Sequence, residues 1–369
     1  MAPQKPGMKQ QKLISSLLVN GTLILICLIW IVPTLGMFVT SFRNSQDIFT
    51  SGWWTVFPHK AFSKVGEIKI DPGVDVNGPV TIEGVTHTFE EWREGVKLPD
   101  GRQLTWFGNK RSLLVIVEAE KWMWFNTDLT LENYKNVLQG QEFRFKDAQG
   151  QEIVRMGNDL GGAFLNSVAV AVPATIIPIL IACFAAYGFA WMNFPGRKLL
   201  FTIVVALLVV PLQIALVPIL QDYTKLGLNG TFLAIWLAHT GFGLPLAIYL
   251  LFTYISELPR DILEAAFIDG ASHFTIFTNL ILPLSIPALA SFAIFQFLWV
   301  WNDYLVALVF LGDQNRVITS ALAAIVGEKG QDWHLLTSGA FISMLLPLAV
   351  FFALQRYFVR GLMAGSVKG

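Results

Sequence analysis

Six apolar runs, each long enough to cross a lipid bilayer, fix the class of this chain before any motif is read. They fall at about residues 14–40, 163–191, 199–220, 231–255, 284–311 and 335–358. A hydrocarbon core of about 30 Å needs roughly 20 helical residues at about 1.5 Å of rise each. Composition agrees: 54% of the 369 residues are hydrophobic and 14% are charged, against about 25% charged in a typical soluble domain. The expected fold is an all-α polytopic membrane protein of six transmembrane helices. No small-residue cleavage site stands at Thr40-Ser41-Phe42-Arg43, so the first run reads as a retained span.

Formal net charge is zero, from 26 Lys and Arg against 26 Asp and Glu. The balance gives no argument for nucleic acid, and the placement of the basic residues is what informs. Lys5, Lys9 and Lys12 precede the first run. Arg197 and Lys198 follow the second, Arg260 the fourth, and Arg356, Arg360 and Lys368 the sixth. Short loops of the opposite side hold only Lys225, Arg316 and Lys329. The positive-inside rule therefore predicts two cytoplasmic termini and an outward-facing segment 43–162.

That segment is polar. Residues 43–158 hold 14 of the 26 basic and 16 of the 26 acidic residues. Stretches rich in β-branched and aromatic residues at 80–82, 86–89, 103–107, 113–118, 143–145 and 153–155 alternate with turn signals at Asn77-Gly78, Asp100-Gly101 and 147–150. A small, mainly β extracytoplasmic insertion between helices 1 and 2 is predicted. The domain plan is 1–42 for the N-terminus and first helix, 43–162 for the insertion, and 163–369 for a five-helix core. Trp53, Trp54, Trp122 and Trp124 fit membrane-interface or core positions, their usual places, ahead of the alternative of a platform for stacking a sugar ring.

Between the fourth and fifth runs the chain stops being apolar. Residues 256–283 contain ELPRDILEAAFIDGASHFTIFTNLILP. Pro259 suits a first helical turn, and Asp261 suits the positive end of a helix dipole. Ile262, Leu263, Ala266 and Phe267 recur at helical spacing on one face. Asp269-Gly270 ends that helix, and Ser272 is the expected N-cap of a second, with Ile276, Phe277, Leu280 and Ile281 before Pro283. An amphipathic hairpin on the cytoplasmic side needs a protein partner there.

Glu264-Ala265-Ala266, then Asp269-Gly270, then Leu280-Ile281-Leu282-Pro283 resembles the EAA loop of permease subunits of ATP-binding-cassette importers. Leu280 stands where that family commonly has Ile. The likeness extends to Leu131-Glu132-Asn133-Tyr134, Leu165-Asn166-Ser167, Phe194-Pro195-Gly196-Arg197, Trp301-Asn302-Asp303-Tyr304 and the ending QRYFVRGLMAGSVKG, all similar to the second permease of maltose-type carbohydrate importers. TSFRNSQDIFTSGWWT and AVPATIIPILIACFAAYGFAWM point within that branch to α-glucoside permeases, with 43–162 longer than the plain maltose-type connection.

The resemblance implies a permease that forms the sugar pathway with a second permease, is driven by two ATP-binding subunits, and receives sugar from an extracytoplasmic binding protein, in a bacterial inner membrane. It implies ATPase coupling through Glu264, Ala265, Ala266, Asp269, Gly270, Leu280 and Pro283. It also implies binding-protein contact at Gly327, Glu328, Lys329 and Gly330, the tip of an outward loop 312–334, and an ATPase-facing tail with Arg356 and Arg360. ATP and Mg would bind the partner subunits, since this chain has no G-x-x-x-x-G-K-[ST] phosphate loop and is expected not to be an enzyme.

Pathway candidates come from polar groups inside spans, where they are costly unless they face a cavity or a partner. Asp303 is the deep carboxylate, with Trp301, Asn302 and Tyr304 beside it. Gln213, Gln296, His239 and Thr240 are further candidates, and backbone bonding within the helix bundle is the alternative role for this set. Cys27 and Cys183 both fall in spans and lack metal-site spacing, and the five histidines are scattered, so no metal is expected. A secondary sugar transporter driven by an ion gradient is the rival reading.

Overall fold

The computed structural model describes residues 8–123, 129–140, 142–146, 152–157, 159–329 and 332–364. Contacts divide the chain into two compact units, Met1–Thr130 and Leu131–Gly369. The division groups the first helix with the main β subdomain, and groups 131–162 with the helical core.

In the first unit, helix α1 (Met8–Ser41) is exposed along most of its length. It is followed by a short helix α2 (Ser45–Thr50). Arg43 is buried between them, and its guanidinium donates to the carbonyls of Asp47 at 2.7 Å and Ser51 at 3.1 Å. Strands β1 (His59–Lys69), β2 (Val80–Ile82) and β3 (Val85–His87) come next, then helix α3 (Phe89–Glu94) and strands β4 (Val96–Lys97), β5 (Arg102–Trp106) and β6 (Leu114–Met123). Four of these form an antiparallel sheet in the order β1-β6-β5-β4.

The β2–β3 hairpin turns on Glu83 (φ 47°) and Gly84 (φ 83°), two residues with positive φ as a type I′ turn requires. Trp92 of α3 closes the core of this subdomain with Val80, Ile82, Leu104, Trp106 and Val115, and its indole donates to the Val80 carbonyl at 3.0 Å. Of the stretch expected as a strand at 86–89, Thr86 and His87 do lie in β3, and helix α3 takes over at Phe89. Thr88 and Glu91 form a reciprocal capping box there, each accepting from the other's backbone N–H.

The second unit begins with helix α4 (Glu132–Gln139) and the hairpin of β7 (Glu142–Lys146) and β8 (Glu152–Met156). The expected turn at 147–150 lies outside the described residues. The helices that follow are α5 (Leu160–Trp191), α6 (Arg197–Ala206), α7 (Leu212–Lys225), α8 (Phe232–Ser256), α9 (Arg260–Ile268), α10 (His273–Ile276), α11 (Leu282–Leu284), α12 (Ile286–Trp301), α13 (Leu305–Leu311), α14 (Ile318–Lys329) and α15 (Trp333–Ala364).

Four helices, α1, α5, α8 and α15, are by themselves long and apolar enough to span a membrane. The expected span at 199–220 is a pair bent by 103°, because Pro211 holds Val210 in extended backbone and α6 cannot run on into α7. The expected span at 284–311 is likewise broken: 273–284 meets α12 at 69°, and residues 302–304 separate α12 from α13. Among the described residues the candidate spans, by length and composition, number four, or up to six if each bent pair counts as one.

Three prolines inside these helices have a common arrangement. A helical proline lacks the N–H that would bond the carbonyl four residues back. For Pro173 that carbonyl is Ala169, and the indole of Trp236 in α8 donates to it at 2.9 Å. For Pro178 it is Ala174, and the Gln296 amide in α12 donates to it at 3.1 Å. For Pro347 it is Ser343, and the Trp301 indole donates to it at 2.9 Å. Each neighbouring helix thus supplies the donor that the proline withholds, which is how lipid-embedded helices tolerate such breaks.

Candidate functional site

The hairpin between α8 and α12 combines exposed apolar side chains with charge. Arg260, Asp261, Glu264 and Asp269 fall within ten residues, so this segment belongs at the water side rather than in hydrocarbon. Pro259 stands at the N-cap, with α9 beginning at Arg260. At the other end the N–H of Ala271 reaches the Ala266 carbonyl and that of Gly270 the Phe267 carbonyl, both at 3.0 Å. These are the two bonds of a Schellman corner, with Gly270 at φ 79° in the left-handed position.

Two parts of the motif thereby acquire structural work: Ala266 supplies a carbonyl to the corner, and Gly270 supplies the φ. Ser272 caps α10 as expected, its hydroxyl accepting from the Thr275 N–H at 3.2 Å. A π-helical turn, Phe277–Ile281, then leads into α11. Leu280 is half-buried in it, and Pro283 lies within continuing helix before the bend at α12 rather than closing the segment.

One face of the hairpin is anchored. Leu263, Ile276, Phe277 and Ile281 are buried with Ala182, Cys183, Ala186 and Tyr187 of α5 and with Ala247, Ile248, Leu251 and Ile255 of α8. Burying a side chain of this size contributes about 1.5–3 kcal/mol. The apolar side chains that the hairpin leaves exposed, its crest, are Ile268 (85%) and Phe274 (69%), with Ile262 and Phe267 also exposed. The single apolar face expected for Ile262, Leu263, Ala266 and Phe267 is therefore split, since Leu263 packs inward, Ala266 is half-buried, and Ile262 and Phe267 look outward. Glu264, Ala265 and Asp269 are exposed beside that crest.

Part of the polar set expected along a pathway comes together: the Gln296 amide lies 3.4 Å from the His239 carbonyl, and His239 lies 3.8 Å from the Asp303 carboxylate. Gln296 and Trp301 are buried, their N–H groups engaged by the proline-freed carbonyls described above. Asp303 accepts from the N–H groups of Val306 and Ala307 at 3.4 and 3.0 Å, capping α13 across the break, and its own carbonyl accepts from the Thr319 hydroxyl at 2.6 Å. Asn302 is exposed, its amide donating to the Leu298 carbonyl at 2.8 Å. Gln213 and Tyr304 are exposed elsewhere.

His239 is fully buried, 3.8 Å from the Asp303 carboxylate and edge-on to Trp299, and Thr240 is buried next to it. Helix-backbone bonding, the alternative weighed for this set, describes Gln296, Trp301, Asn302 and Asp303. Among the described residues no cluster of three His, Cys, Asp or Glu side chains is placed to hold a metal ion.

The stretch expected as an outward loop, 312–334, is mostly helix: Gly327, Glu328 and Lys329 end α14, and Gly330 lies outside the described residues. That helix starts where the Ile318 N–H meets the Ser167 hydroxyl at 2.8 Å, while Asn166 donates to the Arg316 carbonyl at 3.0 Å. The Asn166-Ser167 pair thus seats α14 on α5. Arg356 turns back on Tyr357 at 2.8 Å, and Arg360 continues α15. In the first unit Trp54 and Trp122 are exposed, Trp53 packs edge-on to Trp54 and Phe57, and Trp124 lies outside the described residues.

Sequence reasoning missed Ile268 and Phe274 as crest residues, and missed the partners that hold His273. The signal for the crest was available: Ile268 and Phe274 flank the Asp269-Gly270 corner, where a large apolar side chain has nothing of its own hairpin to cover it.

Residues 178–363 match the family described as binding-protein-dependent transport system inner membrane component. The chain is 48% identical over 352 residues to the osmoprotective compounds uptake permease protein GgtD of Synechocystis sp., a match covering 95% of this chain and 91% of that one. It is 45% identical over 385 residues to the alpha-glucoside transport system permease protein AglG of Rhizobium meliloti, covering 95% and 97%. To the trehalose/maltose transport system permease protein MalG of Thermococcus litoralis it is 35% identical over 244 residues, covering 65% and 82%. With half its length matching the family and nearly all of it matching two such relatives, the chain belongs to the inner membrane components of binding-protein-dependent transport systems.

Proposed function

We propose that this chain is one of two permease subunits in an ATP-driven importer of α-glucosides or glucosyl osmoprotectants, and that the hairpin 260–284 is where an ATP-binding subunit docks. The exposed crest of Ile262, Phe267, Ile268 and Phe274, backed by a buried anchor, is the observation that carries the docking role. Exposed apolar patches rimmed by charge mark protein contacts. Glu264 and Asp269 supply the rim, and Glu264 is suited to a basic group on the partner. The substrate class rests on relatives that are named for α-glucosides and for osmoprotective compounds.

In this reading both termini and the hairpin are cytoplasmic, 43–162 faces the binding protein's compartment, and the α14 end with Gly327–Gly330 meets the binding protein. ATP and Mg belong to two partner subunits. Closure of those subunits moves the docked hairpins and shifts the permease pair toward its outward-open state, because the two states differ in contacts to the ATPase. The basic Arg356 and Arg360 support a tail at the same side, facing the ATP-binding subunits. Gln296, Trp301 and Asp303 hold helix breaks in that movement, and Trp301, Asn302, Asp303, Tyr304, Gln213 and Gln296 are the candidates for the sugar pathway.

The test is ATPase activity and uptake by the reconstituted complex, with and without binding protein and an α-glucoside, comparing wild type with Glu264→Ala and Gly270→Pro. Loss of sugar-stimulated turnover in an assembled mutant complex is the expected result. Uptake that persists with no ATPase bound, driven by an ion gradient, would overturn the reading.

A further inference from the structure

We propose that the contact between Tyr187 and His273 is a strut that transmits movement of the docked hairpin into α5, which makes Tyr187 and His273 positioning residues for transport. The inference rests on the reading of 260–284 as the ATPase contact. Tyr187 is 4% exposed, one turn before the end of α5, and its Oη lies 2.8 Å from His273 Nδ1, a hydrogen bond in either tautomer of the imidazole.

His273 is the first residue of α10, directly after the Ser272 cap, so its position is set by the corner at Gly270. Its ring also meets Phe267 of α9 edge-on, with centroids 5.0 Å apart. One imidazole therefore touches a crest residue, belongs to the second helix of the hairpin, and bonds to a membrane-spanning helix of 32 residues. The next turn reinforces the junction: Phe277 packs on Tyr187 at 5.6 Å and stacks on Phe184 at 4.5 Å.

Other polar ties at this end do not reach the corner. Trp191 donates to the Ile255 carbonyl at 3.2 Å and joins α5 to α8, and Tyr254 donates to the Leu284 carbonyl at 3.1 Å and joins α8 to the far end of the hairpin. Corner formation does not need Tyr187, because the Schellman bonds and the Ser272 cap lie within the hairpin itself. Removing the tyrosine hydroxyl should leave a folded, docking-competent hairpin whose push on α5 is softened. A close-packed aromatic junction with one directional bond is stiff, so a small shift is passed on rather than absorbed.

The experiment uses the full reconstituted complex and reads two quantities: affinity of the ATP-binding subunit for the permease pair, and sugar molecules imported per ATP hydrolysed. Tyr187→Phe should keep ATPase affinity within about twofold of wild type and lower the transport-to-hydrolysis ratio about three- to tenfold, the equilibrium worth of one hydrogen bond. His273→Asn, which keeps a polar atom near Nδ1, should retain more of the ratio than His273→Ala, and Tyr187→Phe should add nothing in the His273→Ala background. Ile268→Asp is the control on the docking reading and should abolish ATPase affinity.

If Ile268→Asp binds the ATPase normally, the docking reading fails and the strut with it. If Ile268→Asp fails to bind while Tyr187→Phe imports with the wild-type ratio, the strut alone is refuted. Equal loss of ATPase affinity and transport in Tyr187→Phe also refutes it, since that result assigns the residue to hairpin folding.

Discussion

Gly270 offers a graded test of the hairpin corner. Its φ is 79°, and a Cβ built there meets nothing within 4 Å, so a substitution is penalised by backbone conformation alone. An L-residue in the left-handed region costs roughly 1–2 kcal/mol, and Asn tolerates it better than Ala. For Gly270→Ala that energy corresponds to about a 5- to 30-fold reduction in the ratio of closed to open corner. Proline is worse than alanine on two counts, because its φ is fixed near −65° and it removes the N–H that reaches the Phe267 carbonyl.

If the ATP-binding subunit recognises only the closed corner, its apparent Kd rises by up to the inverse of the closed fraction. Binding of purified ATPase to permease complexes in nanodiscs should weaken in the order Gly, Asn, Ala, Pro, with Ala no more than about 30-fold worse than Gly. An Ala variant weaker than the Pro variant, or a Pro variant that binds as wild type, would refute the reasoning: the first because space at the site is open, the second because the corner would not belong to the contact.

Three other outcomes follow from the geometry. Gln296→Leu leaves the Ala174 carbonyl without its donor in the interior, a loss of about 1–3 kcal/mol, read as a lower Tm of the detergent-solubilised chain. Pro178→Ala restores the missing N–H and should recover stability only in the Gln296→Leu background; recovery of equal size in wild type would sink the pairing. Trp92→Phe removes the donor to the buried Val80 carbonyl and should cost about 1–3 kcal/mol by the same mechanism, measured by protease resistance of 59–123 in the full chain, with no loss counting against it. Glu91 is held below its ordinary value of 4.5, first by the Thr88 N–H and then by His87, and Asp100 below 3.8 by the Arg102 N–H and side chain. A depressed folded pKa gives stability that is present above the unfolded value and lost as pH falls through the folded one, so the subdomain should loosen only below about pH 4, and Glu91→Gln should flatten that acid limb.

Local patterns were legible in the sequence. The four unbroken apolar helices, the two-helix hairpin, the Ser272 cap and the left-handed Gly270 all follow from periodicity and from residues with one strong conformational preference. Strands β2, β5 and β6 were legible from their β-branched residues. Strand β1 was not, because HKAFSKVGEIK is rich in lysine and small residues, a composition suited to a protected sheet edge. The Thr88 to Glu91 spacing is a capping signature that ends the β-branched pattern after His87, and its reciprocal bonds set the helix start at Phe89.

Pairings distant in sequence were not legible at all. Tyr187 and His273 lie 86 residues apart, and Gln296 lies 122 from Ala174. Gln296 and Trp301 looked like pathway residues because polarity in a span is unusual. The position of each proline four residues beyond an acceptor gives that polarity a backbone partner.

The proline and donor pairs also bear on how the chain is assembled in the membrane. Ala169 and Ala174 reach the bilayer on α5 with no backbone donor, and their side-chain donors, Trp236 and Gln296, stand later in the chain. A carbonyl left bare in hydrocarbon costs several kcal/mol. During synthesis from the N-terminus α5 is thus an incomplete guest of the lipid, held in need of α8 and then α12, whereas α15 brings the Ser343 carbonyl to a Trp301 already in place. The order of residues along the chain is also an order of debts settled, and a truncation after α5 should be retained by membrane quality control while one after α12 is released.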